Sequence, residues 1–247
     1  MSVRPPLPTS QRLQIPGPAG ELELRVEVPG PAASAGAPAF GVPAPSPALG
    51  VPAPSPAFGV PAPSPAFGVI CHPHPLFGGT LENKVVHTLA RTLNELGMPT
   101  VRFNFRGVGA SSGSHAEGAG ETDDALAVIA WARARWPGAG LWLAGFSFGA
   151  AVALRACAAA DPLRLIAVAP AVDRIDIGAP APRCPWAMVL GDADEVVSPQ
   201  AMLDFAGRVS PPPRLHVLAG AGHFFHGRLA DLRAAVLAFA HEAVGAH

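Results

Sequence analysis

The residues best suited to chemistry lie in the segment 141–151, which reads LWLAGFSFGAA. Three apolar residues and an alanine lead into Gly145-Phe146-Ser147-Phe148-Gly149, and small and apolar residues follow at helical spacing. This order predicts a buried strand, a sharp turn and a helix, with Ser147 at the turn. Glycines on either side of the serine remove the Cβ atoms that would keep strand and helix apart. The hydroxyl is then presented as a nucleophile, and the Phe148 amide would face a developing oxyanion.

A second Gly-x-Ser-x-Gly match occurs at 109–113, with Ser111 at its centre. It follows a loop-like segment and leads into Ser114-His115 and further glycines, so neither a strand nor a helix is predicted beside it. We therefore interpret Ser111 as a loop residue and Ser147 as the nucleophile.

The hydroxyl of Ser147 needs partners, because a serine is a poor nucleophile until a base removes its proton and an acid orients that base. In an open parallel sheet these partners lie on loops that follow the C-terminal ends of strands. Asp194 follows a predicted strand at 186–190, and His223 follows a predicted strand at 215–218. Both come after the serine, in the chain order Ser, Asp, His. The sequence therefore predicts these three residues as the catalytic set.

Each partner has a neighbour of the same type on its own loop. Asp192 and His226 are therefore the alternatives. We favour Asp194 because it lies further out on its loop. We favour His223 because it lies nearer the strand end, behind a flexible glycine turn.

A second amide for the oxyanion would come from the loop after a predicted strand at 69–71, which reads His-Pro-His-Pro-Leu-Phe. The prolines of this loop carry no N–H and are excluded as donors. His74 or Leu76 is therefore expected to donate beside Phe148, with Phe77 as the remaining alternative.

Four histidines near these loops raise the alternative of a metal site: His72, His74, His223 and His226. No acidic ligand shares their spacing, and the His-Pro-His-Pro run is explained more simply as a rigid loop. The three cysteines show no Cys-x-x-Cys spacing, and we interpret Cys71 as buried packing rather than a thiol nucleophile. We expect neither a metal nor a cofactor.

These residues need a scaffold that brings distant loops to one edge, and the pattern from residue 67 onward predicts one. Predicted strands and helices alternate, which indicates an α/β fold with a mostly parallel central sheet and helices on both faces. Besides the strand and helix around Ser147, we predict strands at 67–71, 99–105, 164–169, 186–190 and 215–218. Predicted helices cover 83–96, 122–136, 199–209 and 229–244. Thr122 is expected to cap the second of these, with Asp123 and Asp124 in its first turn.

The N-terminal part is expected to extend this sheet. Residues 1–11 are rich in proline and are predicted to be flexible, while 13–28 form two strand-like runs around a turn at 17–20. This pattern is typical of an edge hairpin. We therefore predict one domain over 12–247, interrupted by an insertion at about 36–66.

The insertion contains a repeat. Gly-Val-Pro-Ala-Pro-Ser-Pro-Ala occurs at 41–48, 50–57 and 59–66, a period of nine residues. Its prolines remove amide donors and favour a polyproline II conformation, so we interpret it as a surface linker. The alternative is a docking tract for a partner. Such tracts usually carry flanking Arg or Lys, which this one lacks, so we favour the linker.

The composition limits the partners of the protein. A formal net charge of −1 and 49% hydrophobic residues indicate an ordinary globular core and disfavour nucleic acid as a partner. No apolar run reaches the ~18 residues that a membrane span needs. The N-terminus also lacks the apolar core of a signal peptide. We expect a cytoplasmic protein that acts on a small molecule, and the sequence is compatible with a homodimer.

Six segments in combination resemble a group of small bacterial α/β-hydrolases close to the dienelactone hydrolases and serine esterases. These segments are 71–80, 83–86, 103–109, 145–149, 191–197 and 222–225, and the resemblance extends over about 12–28 and 67–245. It implies Ser147 as nucleophile, His223 as base and Asp194 as acid, in a cytoplasmic hydrolase that needs no metal. The proline repeat departs from the family pattern.

Many such hydrolases insert a helical lid between the sixth and seventh strands, whereas a short proline-rich segment at 171–185 takes that place here. We therefore predict a minimal lid and a preference for short acyl esters or lactones. The expected reaction is hydrolysis of an acyl bond through an acyl-enzyme. The alternatives are an acyltransferase or peptidase with the same residues, and a non-catalytic scaffold that binds a partner through the proline tract.

Overall fold

The computed structural model describes residues 9–30, 65–178, 180 and 182–242. These residues contain eight strands: β1 (Thr9–Gly17), β2 (Gly20–Val28), β3 (Ala66–Cys71), β4 (Thr100–Phe103), β5 (Gly140–Phe146), β6 (Arg164–Val168), β7 (Trp186–Gly191) and β8 (Arg214–Leu218). They form one sheet in the order β1-β2-β4-β3-β5-β6-β7-β8. The hairpin strands β1 and β2 pair antiparallel, and β3 to β8 run parallel. The predicted mostly parallel sheet is confirmed.

Helices cover both faces of this sheet. The described α-helices are α1 (Lys84–Glu95), α2 (Ala119–Arg135), α3 (Phe148–Ala160), α4 (Pro199–Arg208) and α5 (Leu229–His241), and a short 3-10 helix spans Pro75–Phe77. Helix α1 contacts α5, while α2 contacts α3, which gives two layers. The periodic apolar residues of α1 explain its packing, because Val85, Val86, Leu89 and Leu93 are all buried.

The N-terminal hairpin is confirmed, but it begins earlier than predicted. Thr9 pairs with Val28, so the ladder runs to the end of β2. Residues 9–11 are therefore strand rather than flexible chain, because β2 offers them backbone partners. Residues 1–8, the rest of the predicted flexible N-terminus, lie outside the described residues.

The predicted start of α2 is wrong: the helix begins at Ala119 rather than after Thr122. The capping group is the Glu121 carboxylate, which accepts hydrogen bonds from the Ala116 and Gly118 amides at 2.9 and 2.8 Å. Thr122 instead donates its hydroxyl to the Gly118 carbonyl oxygen at 2.7 Å. Glu121 thus holds the two residues that lead into the helix, and the amides of Ala119 and Gly120 donate to the Ala116 carbonyl oxygen, so no capping hydroxyl is needed.

Asp124 was predicted to lie in the first turn of α2, near its free amides, but its carboxylate binds Arg106 instead. Its carboxylate is buried and accepts hydrogen bonds from the Arg106 guanidinium at 3.0 and 2.7 Å. This pair ties the loop after β4 to α2 and so fixes the start of the glycine-rich segment between them.

Strand β3 lies at the centre of the sheet and is buried along its whole length. It begins at Ala66, so the last unit of the proline repeat leads directly into the central strand. Every unit of the repeat begins Gly-Val-Pro, whereas the segment after the last unit begins Gly68-Val69-Ile70, so Ile70 takes the place of the proline. A proline there lacks the N–H that a strand paired on both sides needs. The remainder of the predicted insertion, residues 36–64, lies outside the described residues.

The segment between β6 and β7 forms no helix or strand in its described residues, so the predicted minimal lid is confirmed. In the described part of the chain, no helix has the length and apolar character that crossing a membrane requires.

Candidate active site

Ser147 lies at the turn between β5 and α3, where the backbone is strained. Its φ of 56° and ψ of −119° are unusual for a residue with a side chain. A Cβ at Gly145 would collide with the Gly149 carbonyl oxygen, and a Cβ at Gly149 would collide with the His72 carbonyl oxygen. Both glycines are therefore needed for strand, turn and helix to approach this closely.

Three predicted residues from distant loops meet at the C-terminal edge of the sheet. His223 Nε2 lies 3.0 Å from the Ser147 hydroxyl oxygen, and His223 Nδ1 lies 2.8 Å from Asp194 Oδ2. These residues follow β5, β8 and β7, whose carboxyl ends share that edge. With its proton on Nδ1, the imidazole donates to the carboxylate and accepts from the hydroxyl. The arrangement can take a proton from the serine.

The carboxylate of Asp194 is fixed through both oxygens. Oδ1 accepts hydrogen bonds from the Val196 and Val197 amides, each at 2.8 Å. Burial raises the pKa of Asp194, but the hydrogen bonds from the imidazole and these two amides outweigh it, so the pKa lies below its ordinary value. The alternative, Asp192, accepts a hydrogen bond from the Gly220 amide at 2.6 Å and so links two loops instead.

Aromatic rings hold the His223 imidazole in place. The ring of Phe146 lies 5.0 Å from it and the ring of Phe224 lies 5.1 Å from it, measured between centroids. The alternative histidine, His226, stacks its ring on Phe224 at 5.8 Å. His223 is therefore the histidine that the structure places between the carboxylate and the hydroxyl.

Glu195 is a residue of this site that the sequence reasoning missed. Its Oε2 accepts a hydrogen bond from the His223 amide at 3.1 Å and sits against Gly222, where a Cβ would displace it. Glu195 thus holds the backbone that carries the histidine. The signal in the sequence is its place directly after Asp194, but a carboxylate at that position is equally compatible with an exposed loop.

The start of α3 lies directly against the loop after β3. Gly149 packs on the Cys71 and His72 carbonyls, and the rings of His74 and Phe148 are 4.8 Å apart. Among the residues that the structure describes, no acceptor is bonded to the His74 or Phe148 amide. These two N–H groups remain the candidates for the predicted oxyanion donors.

Leu76, by contrast, does not fit the predicted role of a donor. Its amide donates a hydrogen bond to Nδ1 of the His74 side chain at 3.2 Å, which caps the 3-10 helix. The amide of Phe77, the other alternative, donates to the His74 carbonyl oxygen at 3.1 Å. Groups of the same loop already occupy these two amides, so of the three donors considered in this loop His74 fits best.

His72 is buried, and both of its ring nitrogens face backbone groups. Nδ1 donates to the Pro73 carbonyl oxygen at 2.6 Å, and Nε2 accepts from the Phe105 amide at 3.0 Å. Burial lowers the pKa of His72 from 6.5 to about 4, so the ring is neutral at neutral pH. In the described ranges, no group of three or more His, Cys, Asp or Glu residues is arranged to hold a metal ion.

The two other nucleophile candidates have structural roles. Ser111 accepts a hydrogen bond from the Glu23 amide at 2.9 Å and donates to the Asn104 carbonyl oxygen at 2.7 Å, which ties its loop to β2. Cys71 is buried in β3, and this burial raises the pKa of its thiol. A thiolate is therefore disfavoured at that position.

Comparisons with known proteins agree with this fold and with a serine hydrolase. A family model described as serine aminopeptidase, S33, matches residues 76–182. A solved α/β serine hydrolase without a lid from Xanthomonas campestris is 40% identical, with a TM-score of 0.81, over 99% of this chain and 100% of that one. A solved α/β serine hydrolase homologue from Coxiella burnetii is 39% identical, with a TM-score of 0.76, over 92% of this chain and 96% of that one.

A curated relative extends the comparison. An uncharacterized protein of Rickettsia prowazekii is 33% identical over 180 residues, which is 68% of this chain and 75% of that protein. Relatives this similar share their fold and the order of their elements with this chain. The chain therefore belongs to the α/β-hydrolase family and is similar to its small bacterial serine hydrolases.

Proposed function

We propose that this chain is an esterase-type serine hydrolase that cleaves an ester or lactone bond through an acyl-enzyme on Ser147. The observation that carries the proposal is the continuous hydrogen-bonded chain from the Ser147 hydroxyl through the His223 imidazole to the Asp194 carboxylate. Its distances of 3.0 and 2.8 Å are those that a nucleophile, its base and an orienting acid require.

The first half of the reaction begins when the hydroxyl oxygen attacks the carbonyl carbon of the substrate. His223 Nε2 takes the hydroxyl proton, and the Asp194 carboxylate stabilises the imidazolium that forms. The negative charge on the carbonyl oxygen would be met by the Phe148 and His74 amides. The intermediate then expels the alcohol, which receives its proton from the imidazolium.

The second half repeats these steps with water. His223 removes a proton from the water as it attacks the acyl carbon, and the same two amides receive the oxyanion. Release of the acid returns the proton to the serine oxygen. No further group is needed to balance the reaction.

The substrate class follows from the open edge of the sheet. The segment between β6 and β7 is short and forms no helix in its described residues, so no helical lid is present there to enclose an extended acyl chain. Apolar side chains are exposed on both flanking loops: Leu76 at 69%, Phe77 at 85% and Phe224 at 41%. This combination favours small apolar acyl or alcohol groups over long lipids.

A peptidase is the second candidate, because the matching family model is described as serine aminopeptidase. The same serine, histidine and aspartate would serve an amide substrate. The two candidates differ in the leaving group, since an amine must be protonated before it departs while an alcohol departs more readily.

The test is a set of chromogenic substrates measured with the wild type and Ser147→Ala. It comprises p-nitrophenyl esters of two, four and twelve carbons and amino-acid p-nitroanilides. We expect turnover of the short esters, lost in the variant. Faster turnover of the twelve-carbon ester would contradict the proposed substrate class. Turnover of anilides without esters would favour the peptidase.

A further inference from the structure

A second imidazole–carboxylate pair, His115 and Glu121, lies at the start of α2, beside Phe148. Glu121 is fully buried, and its two oxygens accept hydrogen bonds from the Ala116 and Gly118 amides at 2.9 and 2.8 Å. His115 Nδ1 lies 2.9 Å from Glu121 Oε1. The carboxylate itself is held by the two amides, but His115 Nδ1 makes no hydrogen bond of acceptable geometry to a described residue, so the ring is held mainly by what it packs against.

The His115 ring packs on the two residues whose amides we propose as oxyanion donors. Its centroid lies 4.9 Å from the ring of His74 and 5.5 Å from the ring of Phe148, and those two rings are 4.8 Å apart. The three rings form one cluster, which we call the His115 cluster. Only 13% of the His115 side chain is exposed, so its neighbours surround it closely.

His74 is also the centre of its own loop. Its side chain accepts the Leu76 amide at 3.2 Å, and its carbonyl oxygen accepts the Phe77 and Gly79 amides at 3.1 and 3.0 Å. A shift of the His74 ring would therefore move the whole turn, including the His74 amide. Outside this loop, the rings of His115 and Phe148 pack against the His74 ring and restrain it.

We propose that His115, through its ring contacts with His74 and Phe148, is a positioning residue that keeps their amides converging on the oxyanion. This inference rests on the proposed function. His115 acts through His74 and Phe148, without itself reaching the reacting atoms. Oxyanion donors must lie within roughly 0.5 Å of their working position, and loss of one donor typically costs about 10²–10³ in kcat. Loosening one donor without removing it should cost less, about tenfold.

The kinetic test compares His115→Ala, His115→Phe and the control His87→Ala, an exposed histidine on α1. On a short p-nitrophenyl ester, we expect His115→Ala to lower kcat about tenfold with KM changed less than about twofold. His115→Phe keeps the ring contacts and should restore kcat to within about threefold of wild type. An unchanged kcat in His115→Ala, or a His115→Phe variant as slow as His115→Ala, would overturn the proposal.

A second measurement does not depend on turnover. Hydrogen exchange of the Leu76, Phe77 and Gly79 amides reports whether the loop is held, because all three bond to His74. We expect faster exchange in His115→Ala, recovery in His115→Phe and no change in His87→Ala. If the wild type cleaves no ester, the proposed function fails while this exchange still decides the role of His115. Unchanged exchange in His115→Ala would refute that role.

Discussion

Two imidazole–carboxylate pairs occur in the described part of the chain, and their acids are held in the same way. In each, a buried carboxylate accepts hydrogen bonds from two backbone amides and lies beside a histidine Nδ1. The separation is 2.8 Å for Asp194 and His223 and 2.9 Å for Glu121 and His115. Each pair therefore has an anchored acid, but only His223 is hydrogen-bonded to it, because Nδ1 of His115 has no hydrogen-bond partner among the described residues.

The pairs differ in what the far side of the ring meets. His223 Nε2 faces the Ser147 hydroxyl at 3.0 Å, whereas the His115 ring faces the rings of His74 and Phe148. A histidine beside a carboxylate can thus take part in proton transfer or pack against other rings. The group beyond the imidazole decides which of the two it does.

The largest effect should come from the histidine that faces the serine. We expect His223→Ala to lower kcat on a short ester by about 10⁵-fold, because the hydroxyl then has no base. His226→Ala should stay within about threefold of wild type, since that ring only stacks on Phe224. Steady-state kinetics of both variants decide the matter. Equal losses in the two variants would remove the distinction between these histidines.

The next effect should come from the acid of the same pair. Asp194→Asn should lower kcat about 10⁴-fold, because an amide can donate to Nδ1 and then stabilises the wrong tautomer. Asp192→Asn should lower it by less than about fivefold, since that side chain accepts from the Gly220 amide outside the hydrogen-bonded chain. A larger loss in Asp192→Asn than in Asp194→Asn would mean that the wrong carboxylate has been assigned.

A third imidazole, that of His72, differs from both pairs because its ring bonds only to backbone groups. Its pKa is lowered from 6.5 to about 4 in the folded protein, so the unfolded chain binds the proton more readily between these values. Stability should therefore fall as the pH drops from 6.5, by about 2–3 kcal/mol at pH 4.5.

Urea unfolding of wild type and His72→Gln between pH 7.5 and 4.5 tests this expectation. The variant should lose less stability on acidification, because the glutamine does not titrate. More acidic solution is avoided, since the lowered pKa of Asp194 adds a separate loss as that carboxylate is protonated. An identical pH slope in the two proteins would contradict the assigned role of His72 burial.

Local patterns predicted much of the fold. The apolar run before Gly145 and the small residues after Gly149 specify a strand and a helix, and the glycines specify the turn between them. The alternation from Leu22 to Val28 likewise specifies the hairpin strand. These signals depend on residues close together in the chain, so the sequence alone carries them.

The hydrogen bonds and ring contacts of individual side chains were harder to predict. The start of α2 depends on the Glu121 carboxylate turning back to two amides rather than on the threonine expected to cap it. Leu76 was one of the expected donors. The His74 ring accepts its amide, and nothing in the sequence pattern shows this. His115 lies in a segment that the sequence marks only as a glycine- and serine-rich loop, and the role proposed for it follows from rings that are distant in the chain.

The most direct test of the central claim is labelling with a fluorophosphonate probe, which reacts with an activated serine. Wild type, Ser147→Ala and Ser111→Ala are compared at equal concentration, with folding checked by circular dichroism. We expect label on wild type and Ser111→Ala and none on Ser147→Ala. A folded wild type without label, or label that persists in Ser147→Ala, would contradict it and favour a scaffold that binds without catalysis.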